Sequence, residues 1–409
     1  MTVVIPAFNA VATIERAVAS ALAEGDIDLE CVVVDDGSTD ATAAVVARLA
    51  AHDPRVVIVS APANSGPSVA RNRALDIARG TWLTFVDADD RLLPGGLAAM
   101  VRAGVDGEAA VVVGQRIWTD GRWRWRSAAY DIPDIRRPGR ASLVTRPGLV
   151  AYASATGKLV RRSLVEDLRF DGRVLGDQPW TIRALIRAGD RIVVVGDDVY
   201  EWARPRRGAA TASITASKAR SSRLAAEAAR VAIGALAAVR AEAQASMPDP
   251  AARDRVVRAY FDRVVEQDLG GPVRRAATGG DAGADELFEA VGEFLDAAPR
   301  ALVDESQAVA RAIIRQPLDR WFGFGEPGRS AYLGLVRWLL DDHPGLAPLA
   351  ARGTLLGPAL TQIRRSAGPA PATARLVIAL DWPVGAVGRV VRLVRLGLVR
   401  VRTLRPARG

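Results

Sequence analysis

Cysteine and histidine are nearly absent from this chain. Its 409 residues include one cysteine, Cys31, and two histidines, His52 and His343. A single cysteine excludes an intrachain disulfide framework, and the shortage of both residue types excludes a zinc site built from histidine and cysteine ligands. Redox and zinc chemistry are therefore not expected.

Lysine is almost as scarce, and long apolar runs are missing. Lys158 and Lys218 are the only lysines, so the net charge of +9 comes almost entirely from arginine. An arginine bias of this kind also arises in GC-rich genomes, so we do not expect nucleic-acid binding. The sequence opens on a strand pattern without a leader, and no uncharged apolar run is long enough to span a bilayer. We expect a cytoplasmic protein, or one held peripherally on the cytosolic face of a membrane.

The first half of the chain alternates strand and helix patterns. Strands are predicted at Thr2–Pro6, Leu29–Val34, Val56–Ser60 and Trp82–Val86, with helices at Thr13–Glu24, Ala41–Ala51 and Ser68–Arg79 between them. This order is typical of an α/β fold with a mostly parallel sheet covered by helices. Ligands of such sheets bind beyond the carboxyl ends of the strands, so the loops that follow the strands are the place to look for a site.

The loop after the fourth strand carries the strongest chemical signal. Asp87, Asp89 and Asp90 follow the buried run Trp82–Val86 within four positions. Carboxylates this close repel one another unless a cation lies among them, and Mg²⁺ or Mn²⁺ prefers one or two carboxylates together with substrate phosphates. The pattern indicates a metal and phosphate site. The alternative is a solvated turn whose aspartates cap the next helix.

Two other loops carry polar groups at corresponding places. Asp36 is followed by Gly37 and Ser38, residues that turn the chain and cap a helix, although a carboxylate here can also accept the imide N–H of a uracil. Asn64 precedes a turn into a helix with Arg71 near its start, where an arginine is suited to an anionic phosphate.

Together these segments resemble the family 2 glycosyltransferases with the GT-A fold. The resemblance runs in order through Val3–Asn9, Val32–Asp40, Asn64–Gly80 and Thr84–Asp90, and more loosely through Gly176–Trp180, Val199–Trp202 and Ser213–Thr215. It covers about the first half of the chain. It implies an inverting enzyme that uses a nucleotide sugar and a divalent metal, Mn²⁺ or Mg²⁺.

The resemblance also implies roles for individual residues. The positions that correspond to nucleotide-sugar contacts are Pro6, Phe8, Asn9, Asp35, Asp36, Asn64, Arg71, Asp87 and Ala88. Asp89, together with Asp87, corresponds to the metal ligands.

Asp177 corresponds to the general base of inverting members, although Gly176 stands where the family usually has a glutamate. By its sequence context alone, Asp177 could equally be the N-cap of a helix over Gln178–Arg187. Trp180, Trp202 and Arg204 are the predicted acceptor contacts. For Trp180 the alternative is a place in the core.

Asp120-Gly121 predicts a tight turn between two strand-like segments that carry Trp123 and Trp125 on one face. This hairpin is either a flap beside the acceptor or an exposed hairpin with two half-buried tryptophans. The sequence leaves both interpretations open.

Alanine- and arginine-rich helices dominate after Ser217. They are predicted at Ser217–Gln244, Ala251–Leu269, Asp285–Ala297, Ala301–Arg315 and Ser330–Leu340. We therefore predict a catalytic domain over 1–215, a helical domain over 216–373 that binds acceptor or forms a homo-oligomer, and a basic amphipathic tail over 374–409. Within the tail, residues 389–405 are suited either to an anionic membrane surface or to packing on the helical domain.

Three functions are compatible with these patterns. The first is transfer of a sugar from a UDP-sugar to a hydroxyl of a bacterial cell-wall polymer, surface polysaccharide or lipid-linked glycan. The second is nucleotidyl transfer, although the glycine-rich loop expected for it is missing from Val3–Asn9. The third is a non-catalytic scaffold that keeps a vestigial site.

Overall fold

A computed structural model describes residues 1–24, 27–126, 131–203, 221–279, 282–315 and 329–351. The chain divides into two compact units. The first comprises Met1–Arg220 with Glu227–Val264, and the second comprises Ser221–Ala226 with Val265–Gly409. Arg204 and the tail over 374–409 lie outside the described residues, and so do the residues 213–215 of the looser resemblance.

A central sheet organises the first unit. Its strands are β1 (Thr2–Ala7), β2 (Glu30–Asp35), β3 (Val56–Ser60), β4 (Trp82–Phe85), β5 (Arg91–Leu92), β6 (Val111–Thr119), β7 (Arg124–Trp125), β8 (Gly139–Ala141), β9 (Lys158–Arg161) and β10 (Ile192–Ala203). The main path runs β3-β2-β1-β4-β9-β6-β10-β5, while β7 pairs with β6 and β8 pairs with β10.

The four strands predicted from sequence form the parallel half of this sheet. β1 lies between β2 and β4 and is parallel to both, and β3 extends the sheet beyond β2. Nearly every side chain of β1, β2 and β4 is buried, because helices cover both faces. The predicted α/β fold is confirmed. One feature was not predicted: β9 is antiparallel to both β4 and β6.

The helices of the first unit are α1 (Ile14–Leu22), α2 (Thr42–His52), α3 (Pro67–Ile77), α4 (Gly96–Asp106), α5 (Pro133–Arg136), α6 (Asp177–Ala188), α7 (Ser222–Ser246, in this unit from Glu227) and α8 (Pro250–Arg263). The α7 residue Glu242 holds two arginines of α6, with Arg183 at 3.1 Å and Arg187 at 2.9 Å. These buried charge pairs fix α7 to the helix that begins at Asp177.

The second unit is helical in its described residues. A π-helix over Val264–Leu269 leads into α9 (Gly270–Gly279), followed by α10 (Ala284–Ala297), α11 (Arg300–Asp304), a π-helix over Val309–Arg315, α12 (Arg329–Asp342) and α13 (Leu346–Ala351). The predicted continuous helix over 301–315 is wrong, because the chain breaks after Asp304. There the Ser306 hydroxyl accepts a hydrogen bond from the Val309 N–H, a local bond that competes with the helical one.

Within the ranges that the structure describes, no helix combines the length and apolar character needed to cross a bilayer.

Candidate active site

The polar loops after β1, β2 and β4 lie at one edge of the sheet. These strands are adjacent and parallel, so their carboxyl ends meet. The turn after β2 depends on Gly37, which has a φ of +72° and lies so close to the Ala63 backbone that a Cβ would be 2.6 Å from the Ala63 carbonyl carbon. No other residue type satisfies both conditions without moving the chain.

Asp36 joins the second loop to the start of α3. Its carboxyl group is buried and accepts hydrogen bonds from the Ser65 N–H (3.0 Å) and the Gly66 N–H (2.7 Å). The other carboxylate oxygen lies 3.3 Å from the guanidinium of Arg73. Asp36 is thus held by donors of the protein itself.

The neighbouring nucleotide-site candidates form a hydrogen-bonded rim. Asn9 has a φ of +49° and accepts a hydrogen bond from the Thr39 N–H at 2.8 Å, while the buried Asp35 accepts one from the Ser38 N–H at 3.3 Å. Phe8 follows the end of β1 and is 45% exposed, which leaves an aromatic ring available for stacking at this edge.

Arg71 and Asp87 form an ion pair at the same edge. Arg71 is buried on the first turns of α3, where its guanidinium donates to the Asp87 carboxylate at 2.9 Å. The same guanidinium lies over the ring of Phe170 at 5.6 Å. Its Nε has no hydrogen-bond partner within the described residues, so the buried cation keeps a free donor.

Within the residues that the structure describes, no cationic side chain forms an ion pair with Asp89. It is exposed to solvent, yet the protein around it desolvates the carboxyl group, and this effect, with the charge of Asp87 second, raises the pKa of Asp89 to about 6. Arg16 reaches only the backbone carbonyl of Asp89.

Two adjacent carboxylates with an uncompensated charge are a donor set suited to Mg²⁺ or Mn²⁺. No group of three or more potential ligands is present in the described part of the chain. Protein and phosphate would therefore have to share the coordination of the metal.

Asp90 and Tyr200 anchor this loop, a role that the sequence analysis did not predict for either residue. The Tyr200 hydroxyl donates to Asp90 at 2.6 Å and accepts from the Asp87 N–H at 3.1 Å, while the Ala203 N–H donates to Asp90 at 2.7 Å. Burial, followed by the charges of Asp87 and Asp89, raises the pKa of Asp90 well above its usual range. These partners lie 110 or more positions apart in the sequence, where no local pattern relates them.

Asp177 is the first residue of α6, and Gly176 precedes it without any side-chain cap of the helix. The Asp177 carboxylate instead accepts a hydrogen bond from the Ala155 N–H at 3.3 Å. A Cβ on residue 176 would overlap the Ser68 Oγ and the Asp171 carbonyl oxygen. The glutamate usual in the family therefore does not fit at this position.

Contacts of α3 hold the segment that leads to Asp177. Ser68, on the first turn of α3, donates to the Gly172 carbonyl oxygen at 2.6 Å in the segment that leads to Asp177. Phe170, the residue beneath the Arg71 guanidinium, belongs to the same segment.

The predicted acceptor contacts differ in their surroundings. Trp180 is 1% exposed and stacks on Phe170 at 4.6 Å between ring centres, so an acceptor contact for Trp180 is contradicted and the core alternative holds. Trp202 is half-buried, with its ring centre 4.5 Å from that of Trp118 and the guanidinium of Arg116 4.9 Å above it. The role of Trp202 stays a prediction.

The predicted hairpin is present. Asp120 accepts hydrogen bonds from the Arg122 and Trp123 N–H groups, and β7 pairs with the end of β6. Trp125 packs at 6.3 Å from Trp118, whereas Trp123 is 65% exposed.

Comparison with known proteins places the first part of the chain in a family. Residues 2–169 match the model described as "Glycosyl transferase family 2". The chain is 42% identical over 163 residues to the succinoglycan biosynthesis protein ExoO of Rhizobium meliloti, which covers 40% of this chain and 44% of that protein. It is 27% identical over 179 residues to the GalNAc(5)-diNAcBac-PP-undecaprenol beta-1,3-glucosyltransferase of Campylobacter jejuni, covering 44% and 57% of the two chains. The chain thus spans about half the length of these relatives.

The fold is that of a solved structure, S. aureus TarS 1-349 in complex with UDP-GlcNAc. The TM-score is 0.61 at 20% sequence identity, over 81% of this chain and 90% of that one. Residues 2–169 therefore carry a glycosyl transferase family 2 domain, and the fold is the GT-A fold.

Proposed function

We propose that the protein is an inverting glycosyltransferase that moves a sugar from a UDP-sugar to a hydroxyl of a cell-surface glycan, cell-wall polymer or lipid-linked acceptor. The observation that carries this proposal is the gathering of Asp36, the Arg71–Asp87 pair and Asp89 at one edge of the sheet, with Asp177 joined to them through α3. The relatives that carry out sugar transfer or polysaccharide biosynthesis support it.

The donor site is assigned to the loops after β1, β2 and β4. Phe8 offers an exposed ring to a base, and the Asp36 loop lies beside it. Arg71 is buried with a free Nε, and in this proposal its positive charge stabilises the negative charge that develops on the departing diphosphate. A preorganised cation in a site shielded from water stabilises that charge without reorganising.

A divalent metal would be held by Asp89 and Asp87. Their mutual repulsion and the shortage of cations around Asp89 fit a bound cation. When bound, such an ion supplies positive charge that stabilises the diphosphate leaving group. Its positive charge would also reduce the repulsion between the Asp87 and Asp89 carboxylates.

Asp177 is assigned as the general base. Its carboxylate takes the proton of the acceptor hydroxyl while the hydroxyl oxygen bonds to the anomeric carbon and the bond from that carbon to the diphosphate breaks. Attack from the face opposite the diphosphate inverts the configuration. One base and one charged donor site are sufficient for this reaction, and no covalent intermediate is required.

A screen of donor hydrolysis tests this function. Purified full-length protein is incubated with UDP-glucose, UDP-galactose, UDP-N-acetylglucosamine and GDP-mannose, with Mn²⁺, Mg²⁺ or EDTA, and release of nucleoside diphosphate is measured. We expect metal-dependent release from a UDP-sugar. Failure of every donor, together with no calorimetric UDP binding in the presence of metal, would contradict the proposal.

The basic tail is proposed to hold the enzyme peripherally on the cytosolic face of an anionic membrane. After Asp381 the sequence contains seven arginines and no acid. Each basic residue near an anionic surface contributes about 1 kcal/mol of binding. Sedimentation with phosphatidylglycerol vesicles, for the full chain and for a chain ending at Asp381, tests this. Equal, salt-insensitive partitioning of both would exclude membrane attachment.

A further inference from the structure

Lys158 is a fully buried lysine, and lysine side chains are rarely fully buried. It is the first residue of β9 and is only 1% exposed, although fully buried lysines are almost always paired. Its ammonium group donates to the Ser154 carbonyl oxygen at 2.7 Å and lies 3.4 Å from the centre of the Tyr152 ring. In a chain whose bases are otherwise almost all arginine, the buried base at this point is a lysine.

The charged groups around Lys158 come from three other elements. They are Arg116 of β6, Arg263 at the end of α8 and Asp177 of α6. Burial, and after it the charge of Arg116, lowers the pKa of Lys158 well below its usual range, while Asp177 acts in the opposite direction. Among these groups Asp177 is the one carboxylate, and it is the counter-charge of the lysine.

A single peptide group also joins the two side chains. Lys158 donates to the carbonyl oxygen of Ser154, and the N–H of the same peptide, that of Ala155, donates to the Asp177 carboxylate at 3.3 Å. Hydrogen bonds in such a series polarise one another, so a cation on the carbonyl side makes the N–H a stronger donor. The lysine therefore acts on the carboxylate both through space and through this peptide.

We propose that Lys158 is a positioning residue for Asp177: it fixes the Ser154–Ala155 peptide that orients the carboxylate. This inference rests on the proposed role of Asp177 as general base. It lies outside the sugar-donor site and assigns a role to a strand residue that contacts neither donor nor metal ligands.

The first test does not depend on activity. Lys158→Met keeps the length of the side chain and removes the charge, and it is combined with Asp177→Asn in a double-mutant cycle of thermal and urea unfolding. We expect the double variant to be more stable than Lys158→Met alone, because the second change removes a carboxylate left without its counter-charge. Simple additivity of the two changes would overturn the pairing, whether or not the protein transfers sugar.

The second test is the steady-state kinetics of donor hydrolysis, with the UDP-sugar that the wild type hydrolyses fastest. In Lys158→Met we expect a loss of about tenfold or more in the turnover number at neutral pH, because the carboxylate is misplaced. The KM for the donor should stay nearly unchanged.

Arg161→Met is the matched control. Arg161 lies on the same strand, covers the Trp82 ring at 4.5 Å and donates to the Ala109 carbonyl oxygen at 2.7 Å, but it is not among the charges that act on Lys158. The turnover number should stay close to that of the wild type in this control. An unchanged turnover number in Lys158→Met, or an equal loss in Arg161→Met, would overturn the positioning role while leaving the glycosyltransferase proposal intact.

Discussion

Two loops of this protein both carry closely spaced aspartates, but the surroundings of these aspartates compensate their negative charge to different extents. Asp35-Asp36 follows β2 and Asp87-Ala88-Asp89 follows β4, on the two sides of β1. The protein satisfies Asp36 with two backbone N–H groups and an arginine. Within the described part of the chain, no cationic side chain forms an ion pair with Asp89, and the pKa of Asp89 is raised to about 6.

The difference separates a carboxylate whose hydrogen-bond donors come from the protein itself from one that has few such donors. Buried carboxylates with several donors stabilise a loop, whereas a carboxylate with too little compensation costs stability unless a cation arrives. Perturbed acids of the second kind concentrate at functional sites. The number of donors around each aspartate, rather than its place in a motif, separates the two roles.

The largest expected effect concerns a third acid, Asp177. Asp177→Asn keeps the size of the side chain and its hydrogen bond from the Ala155 N–H, yet it cannot accept a proton. Turnover of the donor should fall by about 10²- to 10⁴-fold, the usual contribution of a general base. UDP binding should be retained.

Asp167→Asn serves as the control for Asp177→Asn. Asp167 is an exposed acid that pairs with Arg187 of α6 at 2.6 Å. Its loss should leave turnover close to that of the wild type. Near-normal turnover in Asp177→Asn would remove the base assignment.

The next effect tests the available carboxylate. Asp89→Asn should reduce the gain in UDP affinity that Mn²⁺ provides by at least roughly 10-fold, because loss of even an outer-shell partner of a metal has such an effect. Calorimetry with UDP, in Mn²⁺ and in EDTA, measures this gain. Equal UDP affinity of the wild type in both conditions would show that the loop does not act through a metal.

Asp36→Asn should show the opposite behaviour. The amide oxygen can keep the hydrogen bonds from the Ser65 and Gly66 N–H groups, because both donate to the same carboxylate oxygen. The amide nitrogen then replaces the oxygen that faces Arg73, so the ion pair is lost, at a cost of about 1–3 kcal/mol in unfolding free energy. Urea unfolding without metal measures the loss. Under the same conditions Asp89→Asn should leave the unfolding free energy unchanged or increase it. Equal destabilisation by both substitutions would erase the distinction between the two loops.

The smallest effect is a dependence on pH. A pKa of Asp89 raised to about 6 means that the folded, metal-free loop favours the protonated acid. The contribution of this protonated acid to the stability of the fold is complete below the usual pKa near 3.8 and is lost as the pH rises through about 6. Metal needs the ionised form, so Mn²⁺-supported UDP binding should weaken as the pH falls through about 6. The Asp89→Asn variant should lack this step. A wild-type UDP affinity that stays level from pH 7.5 to 5 would contradict the assignment.

The sequence by itself determined the elements that are local. Runs such as Thr2–Ala7 and Glu30–Asp35 are largely apolar because helices cover both faces of the sheet, and glycine and proline mark where the chain turns. Polar residues at the strand ends therefore predicted the edge at which Asp36 and Asp87 now lie. The hairpin turn at Asp120-Gly121 was predictable for the same reason, since its hydrogen bonds join near neighbours.

Only the tertiary structure decided what each polar group does. The antiparallel insertion of β9, the anchoring of Asp90 by Tyr200 and the peptide that joins Lys158 to Asp177 all relate residues that are distant in the chain or whose spacing carries no pattern. The burial of Trp180 against Phe170 is of the same kind. A sequence states which carboxylates and cations exist, but their ionisation and availability depend on desolvation and on the donors that folding brings within reach.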